Sequence, residues 1–578
     1  MEGDLRPRTR FIALAVIAVL AGLSYLWASG QDMLEFYYEA SVRSMSLNWH
    51  NFIFGAMDPA GTITLDKLPG AFWVQALSVK AFGFSTWAMV IPQAVEGIAA
   101  VLVLYRAVSR LAGHTSGLIA ALILAASPAA VALDRGNISD SLMILLLVLA
   151  ADAVSAAVTG KKAALVLAAF WVGLAFQAKM IEAWMVLPAF ALAYLVDGPA
   201  SLPRRLRQVV VAGLVAGIVS LAWISAVSLV PAGSRPYADG STNDSLYAQV
   251  FVYNGFGRFG DQTPTLLLRS QLGVNTGLPI TTPSAGRLLS GDLGRDTGWL
   301  LPAALLAGLG GIVSLRRRPR GDPLRACYVL WGSWLLTLTV VFSVITTLQT
   351  YYTAALAPAI GALLGIAITR TRPAIAAAVT AGTVGYAAWL IPANGAHLPG
   401  WLRLAVICVG VVAVLVILVD RRLMVAAALT AVLLAPVVAD VTMVANHESA
   451  FDTPFEQPQL ARLLAGVPAK LNLVRTRTVP RLEQLAAGAP DLLAVQSGYL
   501  ASIYIDESGA EVLPIGGFDG TTPYPALSQL RSDVANGEFH LVLAASTADP
   551  RLAWVAAHCQ QLSAHVFYCT PADAVSRS

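Results

Sequence analysis

Charge is what this sequence has least of. Only 12% of its 578 residues are Asp, Glu, Lys or Arg, about half the fraction usual in a soluble domain. The formal net charge is a small +4. Its basic residues stand in short clusters between apolar runs, which excludes the extended basic face that a nucleic-acid partner needs. Cysteine is scarce as well: there are four, and no Cys/His spacing resembles a zinc site. Cys327 and Cys408 fall inside apolar runs and read as buried apolar residues. Cys559 and Cys569, ten positions apart in the tail, read as a disulfide in an oxidising compartment. No internal repeat is visible, which argues against the duplicated halves common in secondary transporters.

Apolar residues are what is abundant: 57% of the chain, with a mean hydropathy of +0.67. Crossing a bilayer takes about 20 mostly apolar residues per helix, and the sequence predicts about thirteen such spans. They run over residues 11–28, 88–106, 113–131, 141–158, 163–178, 181–197, 208–230, 297–315, 326–347, 353–369, 373–391, 402–419 and 423–443. The first follows Arg6, Arg8 and Arg10 and precedes Ser29-Gly30, an order that resembles a secretory signal. The run is long for a signal core, so a retained helix is expected. Orientation follows from the excess of Lys and Arg in short cytoplasmic loops. The clusters Arg6/Arg8/Arg10, Arg106/Arg110, Lys161/Lys162, Arg204/Arg205/Arg207, Arg316/Arg317/Arg318/Arg320, Arg370/Arg372 and Arg421/Arg422 occupy every second loop of that count.

This pattern predicts a multi-pass plasma-membrane protein with a cytoplasmic N-terminus and three long outer segments: 29–87, 231–296 and a tail from about 444 to 578. The first contains Ala71–Phe84, which is short for a span and reads as an interfacial helix with aromatic anchors Phe72, Trp73 and Trp87. The second is rich in Gly, Ser, Thr and Asn, as a loop is. In the tail, short apolar runs (492–496, 503–505, 512–515, 539–544, 565–568) alternate with helical stretches near 456–466, 524–536 and 551–562. The expected architecture is an all-α polytopic membrane domain over 1–443 and a C-terminal extracytoplasmic α/β domain over 444–578.

Ionisable residues at membrane depth are expensive and ask for a function. Beyond the cytoplasmic clusters, they gather at the outer ends of the spans. Asp32, Glu35 and Glu39 follow the first span; if that stretch is helical, Glu35 and Glu39 share a face with Asp32 one turn earlier. Asp58, Asp66 and Lys67 lie in a loop punctuated by Gly and Pro, where the lysine suits a phosphate and the aspartate orients it. Asp134-Arg135-Gly136-Asn137-Ile138-Ser139-Asp140 fills the short connection before the fourth span, and Lys179 ends the fifth. Arg258 and the pair Tyr351-Tyr352 complete the set. Each has a plainer reading, as a solvated face, a surface ion pair or a belt aromatic. As a set, the cations suit a lipid-linked phosphate leaving group, and a carboxylate suits the removal of a proton from an acceptor hydroxyl.

The order of these features resembles glycosyltransferase family 39 and its relatives in the GT-C superfamily, among them the lipid A aminoarabinose transferase and the protein O-mannosyltransferases. The marks are Tyr38…Arg43-Ser44-Met45, Asp66-Lys67-Leu68-Pro69, Asp140, Gly173-Leu174-Ala175-Phe176…Lys179 and Tyr351-Tyr352. Ser46…Trp49-His50-Asn51-Phe52, Tyr253-Asn254-Gly255-Phe256-Gly257-Arg258 and Ile515-Gly516-Gly517-Phe518-Asp519-Gly520 resemble the mannosyltransferase-like branch common in actinobacteria and firmicutes. The resemblance covers nearly the whole chain. It implies a polyprenyl-phosphate monosaccharide donor and transfer of a hexose or pentose, with inversion, to an envelope glycan, lipid or protein. Lys67 and Lys179 match positions that bind the donor phosphate, and Asp140 matches a second acidic active-site position. Where relatives carry an Asp-Glu pair, this chain has Leu34-Glu35, leaving either Glu35 or Asp32 as the base; Lys-Pro-Pro is replaced by Lys67-Leu68-Pro69.

No cofactor is required by the sequence. Asp66 and Asp140 carry the oxygen ligands that Mg²⁺ or Mn²⁺ takes, although no spacing demands a metal. Gly516–Gly520 reads as a sugar- or phosphate-binding turn or as an ordinary tight one. The competing functions are a transporter or lipid flippase, and a non-catalytic membrane scaffold.

Overall fold

In the computed structural model, residues 6–161, 163–259, 282–346, 348–391, 398–450 and 466–575 are described. The chain divides into two compact units.

The first unit comprises Met1–Leu34, Val90–Leu221 and Thr281–Ala461 and carries most of the apolar helices. Among the described residues of the whole chain, eleven helices are long and apolar enough to cross a membrane. The number is twelve when His114–Ala125 and Pro128–Asp134, bent by 63°, count as one span. The bend has a local cause: Ser127 precedes a proline and is driven out of helix to ψ 116. Either number falls below the expected thirteen. The stretches 163–178 and 181–197 form one helical run, Ala164–Asp197, with a 16-residue helix, a 3₁₀ turn and an 11-residue helix in succession. Each helix alone is shorter than the about 20 residues of a span. Met180, at φ 54, breaks the run.

Packing in this unit relies on small residues, as expected where no hydrophobic effect drives helices together. A Cβ on Gly361 or Gly365 would lie 2.7 or 2.5 Å from the backbone carbonyls of Ala120 and Ser116, so helix Ala357–Arg370 packs directly on His114–Ala125. Gly173 likewise lets Ala164–Lys179 approach Val219, which a Cβ would meet at 2.5 Å.

The second unit comprises Glu35–Met89, Ala222–Ile280 and Arg462–Ser578. Helix Phe36–Leu47 leads to the short helix Trp49–Phe54, a turn region, and helix Gly70–Phe82. The tail forms a five-stranded sheet in the order β2-β1-β3-β5-β4. Its strands are β1 Leu493–Gln496, β2 Val512–Ile515, β3 Leu541–Leu543, β4 Gln560–Ser563 and β5 Val566–Tyr568. β1 is parallel to β2 and β3; β5 is antiparallel to β3 and β4. Leu513, Leu530, Phe539, Val542 and Val555 lie in its core, and a disulfide joins Cys559 to Cys569 across the β4–β5 hairpin.

Two local expectations are corrected here. Residues 503–505, read as a strand, belong to helix Gly498–Ser508. Ser497 caps its start by accepting from the Leu500 N–H, and Gly509, at φ 72, closes its end, so paired stop signals outweigh the β-branched run. Strand β4 is exposed along its length, so it lacks the apolar pattern that marks strands in a sequence. The helix expected near 456–466 lies outside the described residues except for Gly466.

Candidate active site

In the first unit, helices Asp140–Val158 and Ala164–Lys179 follow one another closely. An antiparallel pair joined by a short turn brings the start of one helix beside the end of the next. A carboxylate is favoured at a helix N-terminus and a cation at a C-terminus, and Asp140 and Lys179 occupy those two places. The Lys179 ammonium lies 2.5 Å from Asp140 Oδ2, with both side chains almost fully buried. The same ammonium stands 5.0 Å above the Tyr351 ring and 4.6 Å above that of Tyr352. Asp140 Oδ1 has no hydrogen-bond partner among the described residues. Asp140, Lys179, Tyr351 and Tyr352 are thus brought together as a dry cation cage with one carboxylate oxygen to spare.

Arg135, expected as a supporting residue, is engaged within the fold. Its guanidinium donates to the carbonyls of Ser24, Trp27 and Glu448 and pairs with Asp32 at 2.7 Å. A guanidinium has five N–H donors, and these partners occupy each of its nitrogens; the side chains of both members of the pair are 0% exposed. Arg135 therefore ties the end of the first apolar helix to the loop before Asp140, leaving Asp32 engaged. Burial pushes the Asp32 carboxyl up to about 6 against the pull of Arg135. Asn137 is buried in the same connection.

In the second unit, Glu35 is not within the helix but caps it. Its side chain accepts from the Tyr38 N–H at 3.0 Å, satisfying one of the donors that a helix start leaves open. Asp32 precedes it in extended backbone, at ψ 146, so the expected single helical face of Asp32, Glu35 and Glu39 does not form. Burial pushes the Glu35 carboxyl up to about 7, opposed by the neighbouring Lys67 and by a backbone hydrogen bond. The Lys67 ammonium lies 3.7 Å from Asp66 and 4.4 Å above the Tyr38 ring. Lys67 and Asp66 are 4% and 2% exposed. Asp58 holds the turn ahead of them by accepting from the Thr62 and Ile63 N–H groups. Arg258 donates to Asn254, whose amide donates to the Asp66 carbonyl at 2.6 Å. Arg258 thus joins this cluster through Asn254.

A divalent metal does not fit these residues. Asp66 and Asp140 each stand beside a lysine ammonium, which would repel a cation placed on the same oxygens. Among the described residues no group of three or more His, Cys, Asp or Glu is placed to hold one.

This chain's residues 66–229 match the family described as "Dolichyl-phosphate-mannose-protein mannosyltransferase". Residues 479–558 match "Putative mannosyltransferase YkcB-like, C-terminal". The Bacillus subtilis (strain 168) proteins named "Putative mannosyltransferase YycA" and "Putative mannosyltransferase YkcB" are 28% and 27% identical to it, across 92% and 93% of this chain and 90% of each relative. Its fold is similar to that of ArnT from Cupriavidus metallidurans in the apo state, with a TM-score of 0.55 and 18% identity over 98% of both chains. Both the membrane part and the tail of the chain are thus similar to mannosyltransferases.

Several contacts were not foreseen from the sequence. Tyr37 donates to Asp239 at 3.2 Å and accepts from the Asp66 N–H at 3.0 Å, joining the loop that carries Lys67 to the Gly516–Gly520 turn. That turn holds the carboxylate of Asp239, which accepts from the Phe518 N–H and the Thr522 hydroxyl, both at 2.9 Å. Tyr253 donates to Asp519 at 2.9 Å. Arg43 donates to the carbonyls of Ile505 and Asp506 and covers the Phe84 ring at 4.7 Å, so it anchors the tail. The signal for Asp239 was an Asp-Gly turn in a loop whose partners lie far along the chain. Glu96 and Asp440, buried in apolar helices of the first unit, were passed over because single acids inside long apolar runs resemble isolated exceptions.

Proposed function

We propose that the transferase moves a monosaccharide from a polyprenyl-phosphate donor to an acceptor hydroxyl at the extracytoplasmic face, with inversion at the anomeric carbon. The observation that carries the reading is the pairing of buried lysines with buried carboxyls at the family's positions: Lys67 with Asp66 and Lys179 with Asp140. A crystal structure of ArnT, of similar fold at a TM-score of 0.51, is of the protein bound to undecaprenyl phosphate, which supports a lipid-phosphate donor here. The acceptor oxygen attacks the anomeric carbon as the bond from that carbon to the phosphate oxygen breaks, and a single displacement inverts the centre. The hydroxyl proton passes to Glu35. The negative charge developing on the departing polyprenyl phosphate is neutralised by the Lys67 ammonium, held ready in surroundings that exclude water. Glu35 is the base in this scheme because its carboxyl titrates near neutrality, whereas Asp32 is bound to Arg135.

The test is transfer from labelled polyprenyl-phosphate sugars in membranes carrying wild type, Lys67→Ala, Glu35→Gln or Asp32→Asn. Removing one preorganised electrostatic group costs about 10²–10³ in kcat, and Lys67→Ala is expected in that range. Unchanged transfer by all three variants refutes the site.

A further inference from the structure

A cavity of ≈ 630 Å³ opens in the first unit among five helices: Leu301–Leu315, Pro323–Val344, Ala357–Arg370, Pro373–Leu390 and Met424–Asn446. The volume lies within the ~300–1,000 Å³ of small-ligand sites. Alanines and glycines leave the room: Ala307, Gly310 and Gly311 line it, and a Cβ on Gly310 would meet nothing within 4 Å. The body of the groove is aliphatic. Its polarity is confined mainly to one end, where Ser314, Arg370, Thr371 and Arg372 form the rim.

That end is the basic end of these helices. Arg316, Arg317 and Arg318 follow the first, Arg370 and Arg372 bracket the third and fourth, and Arg421 and Arg422 precede the fifth. Nearby cations are partly engaged elsewhere: Arg325 pairs with Asp197, Arg318 lies 3.8 Å from Asp322, and Arg370 donates to the Ala112 carbonyl. Arg372 is exposed and makes no ion pair among the described residues. The groove has a limited length. Thr383 and Val432 lie ten and eight residues inside their helices, about 15 and 12 Å at ~1.5 Å per residue, and along the first helix the lining reaches Leu300, fifteen residues before Leu315, or about 22 Å.

We propose that this groove binds an anionic glycerophospholipid of the arginine-side leaflet, with one acyl chain along the aliphatic body and the phosphate at Arg372 and Arg370. Basic pockets between membrane helices recognise anionic headgroups, and a groove that ends at Leu300, about 22 Å from the arginine end, has the length of one acyl chain and is too short for a polyprenyl chain. Neither Lys67, Lys179 nor any carboxyl assigned to transfer lines the groove, so the proposal stands whether or not that assignment does.

The full-length protein, reconstituted in mixed phosphatidylcholine–phosphatidylglycerol vesicles and re-extracted in mild detergent, is examined by native mass spectrometry. One retained phosphatidylglycerol per chain is expected, in preference to phosphatidylcholine. Arg372→Gln, an exposed change that leaves the helices intact, weakens retention about fivefold, and Gly310→Phe removes it by filling the groove. Retention without headgroup preference, retention unaffected by both variants, a bound polyprenyl phosphate in its place, or no bound lipid overturns the proposal.

Discussion

Replacing Glu35 by Gln separates the proposed role of Glu35 as base from everything else its side chain does. The amide oxygen of Gln still accepts from the Tyr38 N–H, so the helix cap of Phe36–Leu47 is kept. What disappears is a carboxylate able to take a proton. With its carboxyl near 7, Glu35 is roughly one-tenth ionised at pH 6 and nine-tenths ionised at pH 8, so wild-type kcat/KM for transfer rises about tenfold between them. The variant is expected to lose about 10²–10⁴ in kcat at pH 8 and to show no step near pH 7. Stability runs the other way. A carboxyl raised in the folded state contributes fully below its ordinary 4.5 and loses that contribution as pH rises through about 7. Ionised Glu35 therefore costs the fold about 3 kcal/mol at pH 8, from the shift of 4.5 to about 7. Glu35→Gln does not bear that cost, so thermal unfolding at pH 8 should show a variant no less stable than wild type. Initial rates with a labelled polyprenyl-phosphate sugar across pH 5.5–8.5 decide the matter. A variant that keeps wild-type rates, or keeps the step near pH 7, refutes the assignment of Glu35 as base.

Three further perturbations test the framework around it. Lys179→Met leaves Asp140 buried without its counter-ion and should cost about 3–5 kcal/mol of stability; thermal unfolding in detergent measures it, and adding Asp140→Asn should recover much of the loss. Arg135→Met abandons Asp32 and three carbonyls together. Its melting temperature should fall by a similar free energy, about 3–5 kcal/mol, with little dependence on salt because the pair is buried. Gly517→Ala places a Cβ 1.9 Å from Asp239 Oδ1 at a φ of +63. It should destabilise the fold by about 1–3 kcal/mol, seen as faster proteolysis of the tail, whereas unchanged proteolysis contradicts the packing of Asp239 into that turn.

The ion pair of Asp140 with Lys179 was nearly legible in advance. Helix boundaries follow from apolar run lengths, and two adjacent helices with a short connection fix which ends meet. Lys67 beside Asp66 needed only sequence adjacency and a turn rich in Gly and Pro. The pairing of Asp32 with Arg135 was not legible, since 103 positions separate them and neither residue's neighbours select a partner. What hydropathy did not show is conformational: it measures apolar length, whereas the break at Met180, at φ 54, and the bend after Ser127 depend on the backbone.

Composition and the spacing of charge therefore determined, without any coordinates, that this is a multi-pass membrane protein with a separate α/β tail. Those properties are local: an apolar run, a cap or a glycine turn is decided by residues a few positions apart. Only the tertiary structure shows what surrounds each buried carboxyl. It bound Asp32 to Arg135 and left Glu35 at the mouth of a helix, where burial and a nearby lysine hold it close to neutrality. Burial and the placing of counter-charges are sums over the whole packed chain, and no window of sequence contains them.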